Sequence, residues 1–195
     1  RVHLYARTKS GRDGDARARA TVTRAAQRPL GVDRAMEVRT KNKVISAEQA
    51  IALVKDGDVV CTTGFVQSCI PEALHAALEK RFVETKAPKG LTLIMCAGAG
   101  DSKGLGTGRL HHEGLLSRVI AANFGRMPKV AQAAQENKIT GYNLPQGVIS
   151  KLYRSCAAGS PGLFTKVGLH TYVDPRLGGG KVNDVTKEDI VKHVD

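Results

Sequence analysis

The residues best suited to binding chemistry lie in the segment 56–71, which reads Asp-Gly-Asp-Val-Val-Cys-Thr-Thr-Gly-Phe-Val-Gln-Ser-Cys-Ile-Pro. Its Asp-Gly pair is typical of a turn, the β-branched residues that follow are typical of a strand, and Pro71 suits the first position of a helix. Gly64 permits a sharp bend between strand and helix. Free amides at such a glycine corner (residues 63–70) are able to hold a carboxylate, a thioester or a phosphate. Most corners of this kind only turn the chain, so the pattern alone does not identify a site.

The glycine-rich segment 97–108 is a second candidate because it directly follows a predicted strand. It does not match a dinucleotide-binding fingerprint, which needs glycine where Lys103 or Arg109 stands. It does not match a phosphate-binding loop either, because Ser102-Lys103-Gly104 has the wrong order. So many glycines are typical both of a mobile loop at a ligand-bearing edge and of a long flexible connection, and both interpretations stay open.

The residues His111-His112-Glu113 are of types that bind metal. Adjacent residues on a helix or strand point to different faces, and no second pair of ligand types lies at helical spacing. We therefore expect a solvated loop here and no metal site. Arg154 and Lys166 are surface cations, either of which would attract the phosphates of a ligand, and composition does not choose between them.

Alternating helices and strands are predicted to position these residues. Ser46 and Gln49 form a capping box at the start of the first helix. The helix after Pro71 is expected to bury an apolar face and to expose a charged one. These faces are formed by Leu74, Ala77, Leu78 and Phe82, and by Glu79, Lys80 and Glu84. Further strands are predicted at 91–96, 118–122, 139–142 and 170–173, and further helices at 128–137, 147–158 and 186–193.

This alternation predicts the fold class. The strand at 91–96 is a nearly continuous apolar run, as expected of a strand that is covered on both faces. We therefore expect an α/β fold with an open, mainly parallel sheet and helices on both faces. Ligands in such folds bind at the C-terminal ends of the strands.

The chain has 195 residues, 42% of them hydrophobic and 25% charged, which is typical of a globular protein with one sizeable core. No apolar run is long enough to span a bilayer, and the first residues lack the apolar core of a secretory signal, so a cytoplasmic location is expected. The four cysteines, at 61, 69, 96 and 156, show no Cys-x-x-Cys spacing and lie in or beside apolar runs. We expect buried, reduced thiols that mostly react slowly.

Half of the net charge of +12 lies in the first 35 residues, which hold nine Arg and Lys against three Asp. This segment has no sustained apolar period, so residues 1–36 are predicted to be a disordered basic tail and 37–195 the folded domain. An RNA-binding arm and an organelle transit peptide are alternative interpretations. A third is translated sequence upstream of a natural start, since Met36 stands just before the first regular helix. The folded part is only mildly basic, which argues against a nucleic-acid partner.

The glycine corner and the turn before it resemble the N-terminal signature of the family I coenzyme A transferases. In that signature Asp-Gly leads through an apolar strand to Gly-Gly-Phe, then three free positions, Gly, any residue and Pro. The residues in register with it are Asp56, Gly57, Gly64, Phe65 and Pro71. The departures are Thr63 at the first paired glycine, Cys69 at the later glycine, and Cys61 and Thr62 in the apolar strand.

Three ordered motifs in the later half resemble the propionate and acetate CoA-transferase branch of this family. They are Tyr-Asn-Leu-Pro-Gln-Gly-Val-Ile at 142–149, Ala-Ala-Gly-Ser-Pro-Gly-Leu-Phe-Thr at 157–165, and the run from Gly168 to Asn183. The resemblance extends from about Lys43 to Asn183. A departure that concerns the acyl pocket is Ala-Asn-Phe-Gly at 122–125, where this branch has a Gly-His-aromatic-Gly run.

The resemblance implies an enzyme that transfers coenzyme A between a short-chain acyl-CoA and a free carboxylate of the acetate, propionate or 3-keto acid type, as in short-chain fatty acid and ketone-body metabolism. A glutamate attacks the thioester, passes through a mixed anhydride to a glutamyl-CoA thioester, and returns the coenzyme to an acceptor acid. Gln146 occupies the position whose amide helps to hold the oxyanion. Coenzyme A is implied as a substrate, without a bound cofactor. The implied substrate-binding residues are Gly64, Phe65, Val66, Asn143 and Gly147.

The nucleophilic glutamate of this family belongs to a C-terminal half or to a separate beta-type subunit, and no segment here resembles its motif. The chain is therefore predicted to be the first, alpha-type half of an enzyme, incomplete at its C-terminus, that works as a homo- or hetero-oligomer.

Two other classes of function stay open. A sugar-phosphate isomerase or effector-sensing domain would need a carboxylate base near the corner, where Glu72 is the candidate. A nucleic-acid-binding module would act through the basic tail.

Overall fold

The computed structural model describes residues 2–5, as backbone, and residues 44–194. Strand β1 (Val2–Tyr5) and the chain from Ala47 onward form one compact unit that contains every element described below. Within the described residues, no helix has both the length and the apolar character that crossing a bilayer requires.

A parallel sheet lies at the centre of this unit. In the part of the chain that the structure describes, its strands in spatial order are β2 (Val59–Thr62), β3 (Leu91–Met95), β4 (Leu116–Ala121) and β5 (Thr140–Asn143). Each neighbouring pair is parallel, and each strand follows its neighbour in the chain. The C-terminal ends of the strands therefore meet at one edge, where ligands bind in folds of this class.

Helices cover both faces of the parallel sheet. They are α1 (Ala47–Ile51), α2 (Glu72–Thr85), a 3-10 helix (Gly106–His111), α3 (Pro128–Gln135) and α4 (Gln146–Ala157). On one face, Leu93 packs in a buried cluster with Phe82 of α2 and Val130 of α3. On the other face, Ile94 packs in a second cluster with Leu152 of α4. The predicted α/β fold, with helices on both faces of a mainly parallel sheet, is confirmed.

Strand β3 shows why the sequence predicts this sheet. Successive side chains of a strand point to opposite faces, and both Leu93 and Ile94 are buried. A strand covered on both faces has no position that tolerates a polar residue well, so its sequence becomes a continuous apolar run. The predicted first helix, α1, begins at Ala47, directly after Ser46 of the capping box.

A smaller antiparallel sheet contains β6 (Gly162–Thr165), β1 and β7 (Val191–His193), with β1 in the middle. Val2 pairs with Thr165 on one side and with His193 on the other. The sequence did not predict a strand at 2–5, because the surrounding segment has no apolar period. The rest of the predicted tail, and with it the boundary at residue 36, lies outside the described residues.

The predicted strand at 170–173 is wrong, because these residues form turns around Asp174. The carboxylate of Asp174 is fully buried and accepts hydrogen bonds from the guanidinium of Arg176 (2.7 Å) and from the backbone amide of His170 (2.9 Å). The bonds from Arg176 and His170 hold the pKa of Asp174 well below its usual range. A local carboxylate that bonds the backbone on both sides of itself favours a turn over a strand.

The predicted helix at 186–193 is also wrong, because this segment runs extended into β7. Thr186 is buried, and its hydroxyl accepts a hydrogen bond from the amide of Gly141 in β5 (2.8 Å). The carbonyl of Glu188 accepts a bond from the hydroxyl of Tyr142 (2.8 Å). Tertiary bonds to β5 thus override the helical pattern of the segment.

Helix α2 buries a face that differs partly from the predicted one. Ala77, Leu78 and Phe82 are buried as predicted, whereas Leu74 is exposed and His75 is buried. Glu79 is half-buried rather than solvent-exposed, since it forms an ion pair with Arg109 of the 3-10 helix (2.6 Å). The buried face is rotated because α2 packs against the 3-10 helix as well as the sheet.

The four cysteines are free, but the prediction that they are buried is wrong. Cys61, Cys69 and Cys156 are exposed, and Cys96 is half-buried. Partial burial raises the pKa of Cys61 and of Cys96, which reduces the thiolate fraction of both. In the described sheet β2 is an edge strand, so its apolar run does not imply that every residue is covered.

His75 is a buried titratable group whose surroundings disfavour a second proton. Its Nε2 lies 2.9 Å from the hydroxyl of Thr62, which itself donates to the carbonyl of Thr63. Nε2 must therefore carry the proton in this contact, and Nδ1 is buried with no hydrogen-bond partner among the described residues. Burial lowers the pKa of His75, because protonation would create a buried N–H group without an acceptor.

We expect His75→Gln to reduce the acid sensitivity of the fold. Since the pKa of His75 is lowered below its ordinary value of 6.5, the unfolded chain takes up the proton first. The stability that depends on neutral His75 is fully present above pH 6.5, and it is lost as the pH falls from 6.5 through the lower pKa of the folded state. The test compares unfolding midpoints of wild type and variant on either side of this window. Exposed His170, changed to Gln, is the control, and an equal acid loss in wild type and His75→Gln would contradict the prediction.

Candidate functional site

The glycine corner continues the parallel sheet beyond the end of β2. The amide of Val66 donates to the carbonyl of Gly98 (2.8 Å), and the amide of Gly100 donates to the carbonyl of Val66 (2.6 Å). Phe65 and Ser68 close the corner with two mutual backbone hydrogen bonds of 3.0 and 2.9 Å. The ring of Phe65 remains exposed. The corner and the glycine-rich segment therefore form one continuous backbone surface.

Backbone conformation explains both the glycine of the corner and one of its departures. Gly64 has a φ of +119°, and a Cβ on it would lie 3.1 Å from the Cβ of Ala99. Val66 and Cys69 both have a φ of 57°, in the left-handed region that favours glycine and strains a β-branched residue. Cys69 stands where the resembled signature has glycine. The φ of Thr63, the other replaced glycine, is not positive.

The glycine-rich segment is packed rather than open. A Cβ on Gly100 would lie 2.8 Å from the carbonyl oxygen of Arg126, and one on Gly106 would lie 2.6 Å from that of Ala99. Asp101 accepts three hydrogen bonds of 2.8 to 2.9 Å from the backbone amides that follow it. These bonds, that from Leu105 first, lower its pKa. The glycines at 100 and 106 thus permit close backbone contacts.

Asn143 joins three parts of the ligand-bearing edge. Its side-chain nitrogen donates to the carbonyl of Ala121 at the end of β4 (3.2 Å), and its side-chain oxygen accepts a bond from the hydroxyl of Tyr172. Its backbone amide donates to the carbonyl of Gly180 (2.7 Å). Asn143 therefore holds the edge in shape. The sequence missed Tyr172, because the predicted strand at 170–173 hid the turn that presents it.

Gln146 is the predicted site residue with a free functional group. It begins α4 after Pro145, its side chain is exposed, and no hydrogen bond joins its side-chain amide to any residue that the structure describes. Its carbonyl accepts a bond from the thiol of Cys96 (3.3 Å). Cys96 directly follows β3, whose last residue Met95 pairs with Thr62 at the end of β2. The start of α4 therefore lies over the end of β3, on the strand next to the glycine corner.

Gly147 adds a second donor beside Gln146. It is exposed, and nothing lies within 4 Å of the position that a Cβ would occupy. Its backbone amide belongs to the first turn of α4, where amides have no partner within the helix. A side-chain amide and a backbone amide thus lie side by side at a helix N-terminus, an arrangement that suits a developing negative charge.

Two cavities open at this edge. One of about 490 Å³ lies beside the corner and is lined by residues that include Gln67, Cys69 and Glu72. The other, of about 610 Å³, is lined by the segment 122–125 and by Asn143 among others. The second cavity therefore contains the segment in which the sequence departs from the resembled acyl pocket.

Glu72, the base that a sugar-phosphate isomerase would need, is already engaged. Its Oε1 accepts a bond from the guanidinium of Arg109 (2.6 Å), and its Oε2 accepts one from the amide of Gly106 (2.8 Å). Glu72 therefore ties α2 to the glycine-rich segment, and no observation favours the isomerase interpretation. The nucleic-acid interpretation rests on the basic tail, which apart from 2–5 lies outside the described residues.

We expect Cys69→Gly to raise the free energy of unfolding by up to about 1 kcal/mol. Glycine removes the left-handed strain of about 1–2 kcal/mol, and its greater freedom in the unfolded chain offsets about 0.5–1 kcal/mol of that gain. Cys69→Ala keeps the Cβ and should bring no gain, so it serves as the matched control in denaturant unfolding. A gain in Cys69→Ala equal to that in Cys69→Gly would show that the thiol, rather than the backbone, is responsible.

Comparison with known proteins identifies the family to which this chain is similar. A sequence profile of the coenzyme A transferase family matches residues 44–193. The acetate CoA-transferase YdiF of Escherichia coli (strain K12) is 37% identical over 153 residues, which are 78% of this chain and 29% of YdiF. The caffeate CoA-transferase of Acetobacterium woodii is 42% identical over 153 residues, with the same two shares. The acetate CoA-transferase subunit alpha of E. coli (strain K12) is 28% identical over 134 residues, or 69% of this chain and 58% of the subunit.

The fold agrees with these sequence matches. The crystal structure of the YdiF apoenzyme from E. coli O157:H7 matches with a TM-score of 0.75 at 37% identity, over 78% of this chain and 30% of that one. A thioester complex of the same protein with CoA matches with a TM-score of 0.74. The chain spans only 29% of the length of YdiF and of the caffeate enzyme. Since the profile covers most of its sequence and the parallel sheet is shared, the chain belongs to the family I coenzyme A transferases and corresponds to their N-terminal, alpha-type half.

Proposed function

We propose that this chain forms part of the active site of an enzyme that transfers coenzyme A between a short-chain acyl-CoA and a free carboxylate. The observation that carries the proposal is the exposed amide of Gln146, which lies at the start of α4 and beside the end of β3, the strand next to β2. The nucleophile is a glutamate outside this chain, which forms a glutamyl-CoA intermediate. Coenzyme A enters as substrate, with no bound cofactor required.

The proposed reaction has two halves. The first moves coenzyme A from the acyl group to the glutamate, and the second moves it from the glutamate to an acceptor acid. The glutamate carboxylate attacks the thioester carbonyl, and the CoA thiolate leaves to give a mixed anhydride. The thiolate then attacks the glutamyl carbonyl, releases the first acid and leaves the glutamyl thioester, from which an acceptor acid takes the coenzyme by the reverse steps. Each attack places a negative charge on a carbonyl oxygen. The amides of Gln146 and Gly147 are the two donors of this chain that would hold that charge.

The cavity of about 610 Å³ supports a small acid as acyl group, since it lies in the size range of small-ligand sites. Its lining combines Phe124 and alanines with the polar Asn143. Two relatives are named for acetate and caffeate, so the acid is set by the lining rather than by the fold. We propose acetate, propionate or a 3-keto acid. Exposed Arg154 and Lys166 are the two candidate contacts for the CoA phosphates.

The proposed partner is the remainder of the enzyme, either as a C-terminal half in the same polypeptide or as a beta-type subunit. Large apolar side chains are exposed in the corner, the glycine-rich segment and the turns after β6. They are Phe65, Leu105, Tyr172 and Leu177, with exposed fractions of 47 to 65%. Such side chains are typical of a surface that a second domain or subunit covers. We propose a cytoplasmic homo- or hetero-oligomer whose alpha-type domain begins near residue 37.

Changing Gln146 to Ala should slow the chemical step. The oxyanion exists only in the transition state and the intermediates, so kcat should fall by about a hundredfold or more while the KM of the acceptor acid changes only a few fold. Gln146→Glu should be slower still, because it places a charge where one must develop. The measurement is CoA transfer by a chimera in which residues 44–193 replace the matching segment of the A. woodii caffeate CoA-transferase. Near-normal turnover by Gln146→Ala in an active chimera would show that Gln146 only begins a helix and takes no part in the chemical step.

Changing Gly147 to Ala should lower kcat/KM without lowering the stability of the fold. No described atom lies near the added Cβ, and alanine favours a helix over glycine, so the stability of the chain should stay equal or rise by up to about 1 kcal/mol. If the thioester passes close to this backbone, the same change should lower kcat/KM in the chimera. Unfolding midpoint and kcat/KM are measured on matched samples, and an unchanged kcat/KM would contradict a close approach of the thioester to this backbone.

A further inference from the structure

Two histidines and a glutamate meet on the side of α2 that faces the 3-10 helix. His111 ends that helix, His112 follows it, and Glu79 lies across from them on α2. One potential ligand atom from each residue lies within 4.8 Å of those of the other two. The sequence did not reveal this cluster, because Glu79 and His112 are separated by 33 positions in the chain.

His111 has the tautomer of a metal-binding histidine. Its Nδ1 lies 2.9 Å from the carbonyl oxygen of Gly108, which can only accept a hydrogen bond, so Nδ1 carries the proton. Nε2 is then left with a free electron pair, which faces the ammonium of Lys129 at 3.4 Å. A backbone carbonyl that fixes the tautomer in this way is the usual outer partner of a metal-bound imidazole.

His112 and Glu79 already stand at nearly the spacing of two ligands. His112 Nε2 donates to Glu79 Oε1 over 2.9 Å. Two ligands of a tetrahedral zinc ion, bound at 2.0–2.1 Å, lie roughly 3.4 Å apart, so an ion replaces the shared proton after a small opening of this contact. The other oxygen, Oε2, is fixed by Arg109 (2.6 Å), which holds the carboxylate in place without occupying Oε1.

We propose that Glu79, His111 and His112 bind a divalent transition-metal ion of the zinc class. Two imidazole nitrogens and one carboxylate oxygen are ligands that Zn²⁺ accepts, and a water completes a tetrahedron. The histidines line a cavity of about 400 Å³, which leaves room for that water. Glu113 and Glu136 line the same cavity together with Lys129 and Lys138, and Glu136 is paired with Lys138 (2.7 Å). The cluster precedes β4, whereas Gln146 follows β5, so this site is separate from the proposed transferase site.

Lys129 opposes metal binding and so provides a sharp test. Its ammonium donates to the electron pair that the metal needs, and it lies on the exposed surface of α3, where it is free to swing away. Lys129→Gln removes a positive charge without touching the core, so it should tighten binding several fold. His111→Ala removes a ligand and should weaken binding by more than the roughly 10–100-fold that loss of an outer partner costs.

The experiment titrates the purified metal-free chain with Zn²⁺ by calorimetry and with Co²⁺ by visible absorption. Wild type should bind one equivalent and give a cobalt spectrum typical of four nitrogen and oxygen ligands, without a thiolate-to-cobalt band. His170→Ala is the matched control and should bind as wild type does. Equal affinity in His111→Ala and wild type, a thiolate band, or Lys129→Gln binding no tighter than wild type would each overturn the proposal. The readout needs no CoA transfer, so it stands or falls independently of the proposed function.

Discussion

The candidate site depends on the backbone pairing of Val66 with Gly98 and Gly100. These two hydrogen bonds carry the sheet past the end of β2 and hold the corner against the neighbouring loop. They also hold Val66 in a left-handed conformation that a valine does not adopt by preference. The glycines of the loop are needed because a side chain at 100 would overlap the backbone of Arg126. The corner is thus preorganised by its neighbour, at the cost of local strain.

The same edge carries two amide donors, at Gln146 and Gly147, that have no partner among the described residues. Asn143 joins β4, β5 and the turn that contains Tyr172, so it shapes this edge. Gln146 and Gly147 follow it on α4, and their amides are available beside the end of β3. The start of α4 thereby contacts Cys96 at the end of β3, the strand that lies next to β2 and its glycine corner in the order of the sheet. The exposed aromatic and aliphatic side chains around this edge are consistent with a site that a second half completes.

Local patterns predicted the parts of the structure that local forces decide. The apolar run of β3, the capping box before α1 and the strand-corner-helix of 56–71 all read directly from the sequence, because burial, capping and turn chemistry act over a few residues. The turns around Asp174 and the extended segment at Thr186 did not, since buried bonds to other parts of the chain decide them. Exposure of Cys61 was missed because a sequence does not show which strand lies at an edge. Glu79 was missed as a partner of His112 because only the fold brings the two together.

The most direct measurement of the central claim is intact-mass spectrometry after incubation with acetyl-CoA. We expect a polypeptide that contains this chain joined to a C-terminal half to gain the mass of coenzyme A less one water on a glutamate of that half, and the 195-residue chain alone to gain none. A coenzyme A adduct on the chain alone, or coenzyme A transfer by it, would contradict the claim that this chain supplies the donors and another segment supplies the nucleophile.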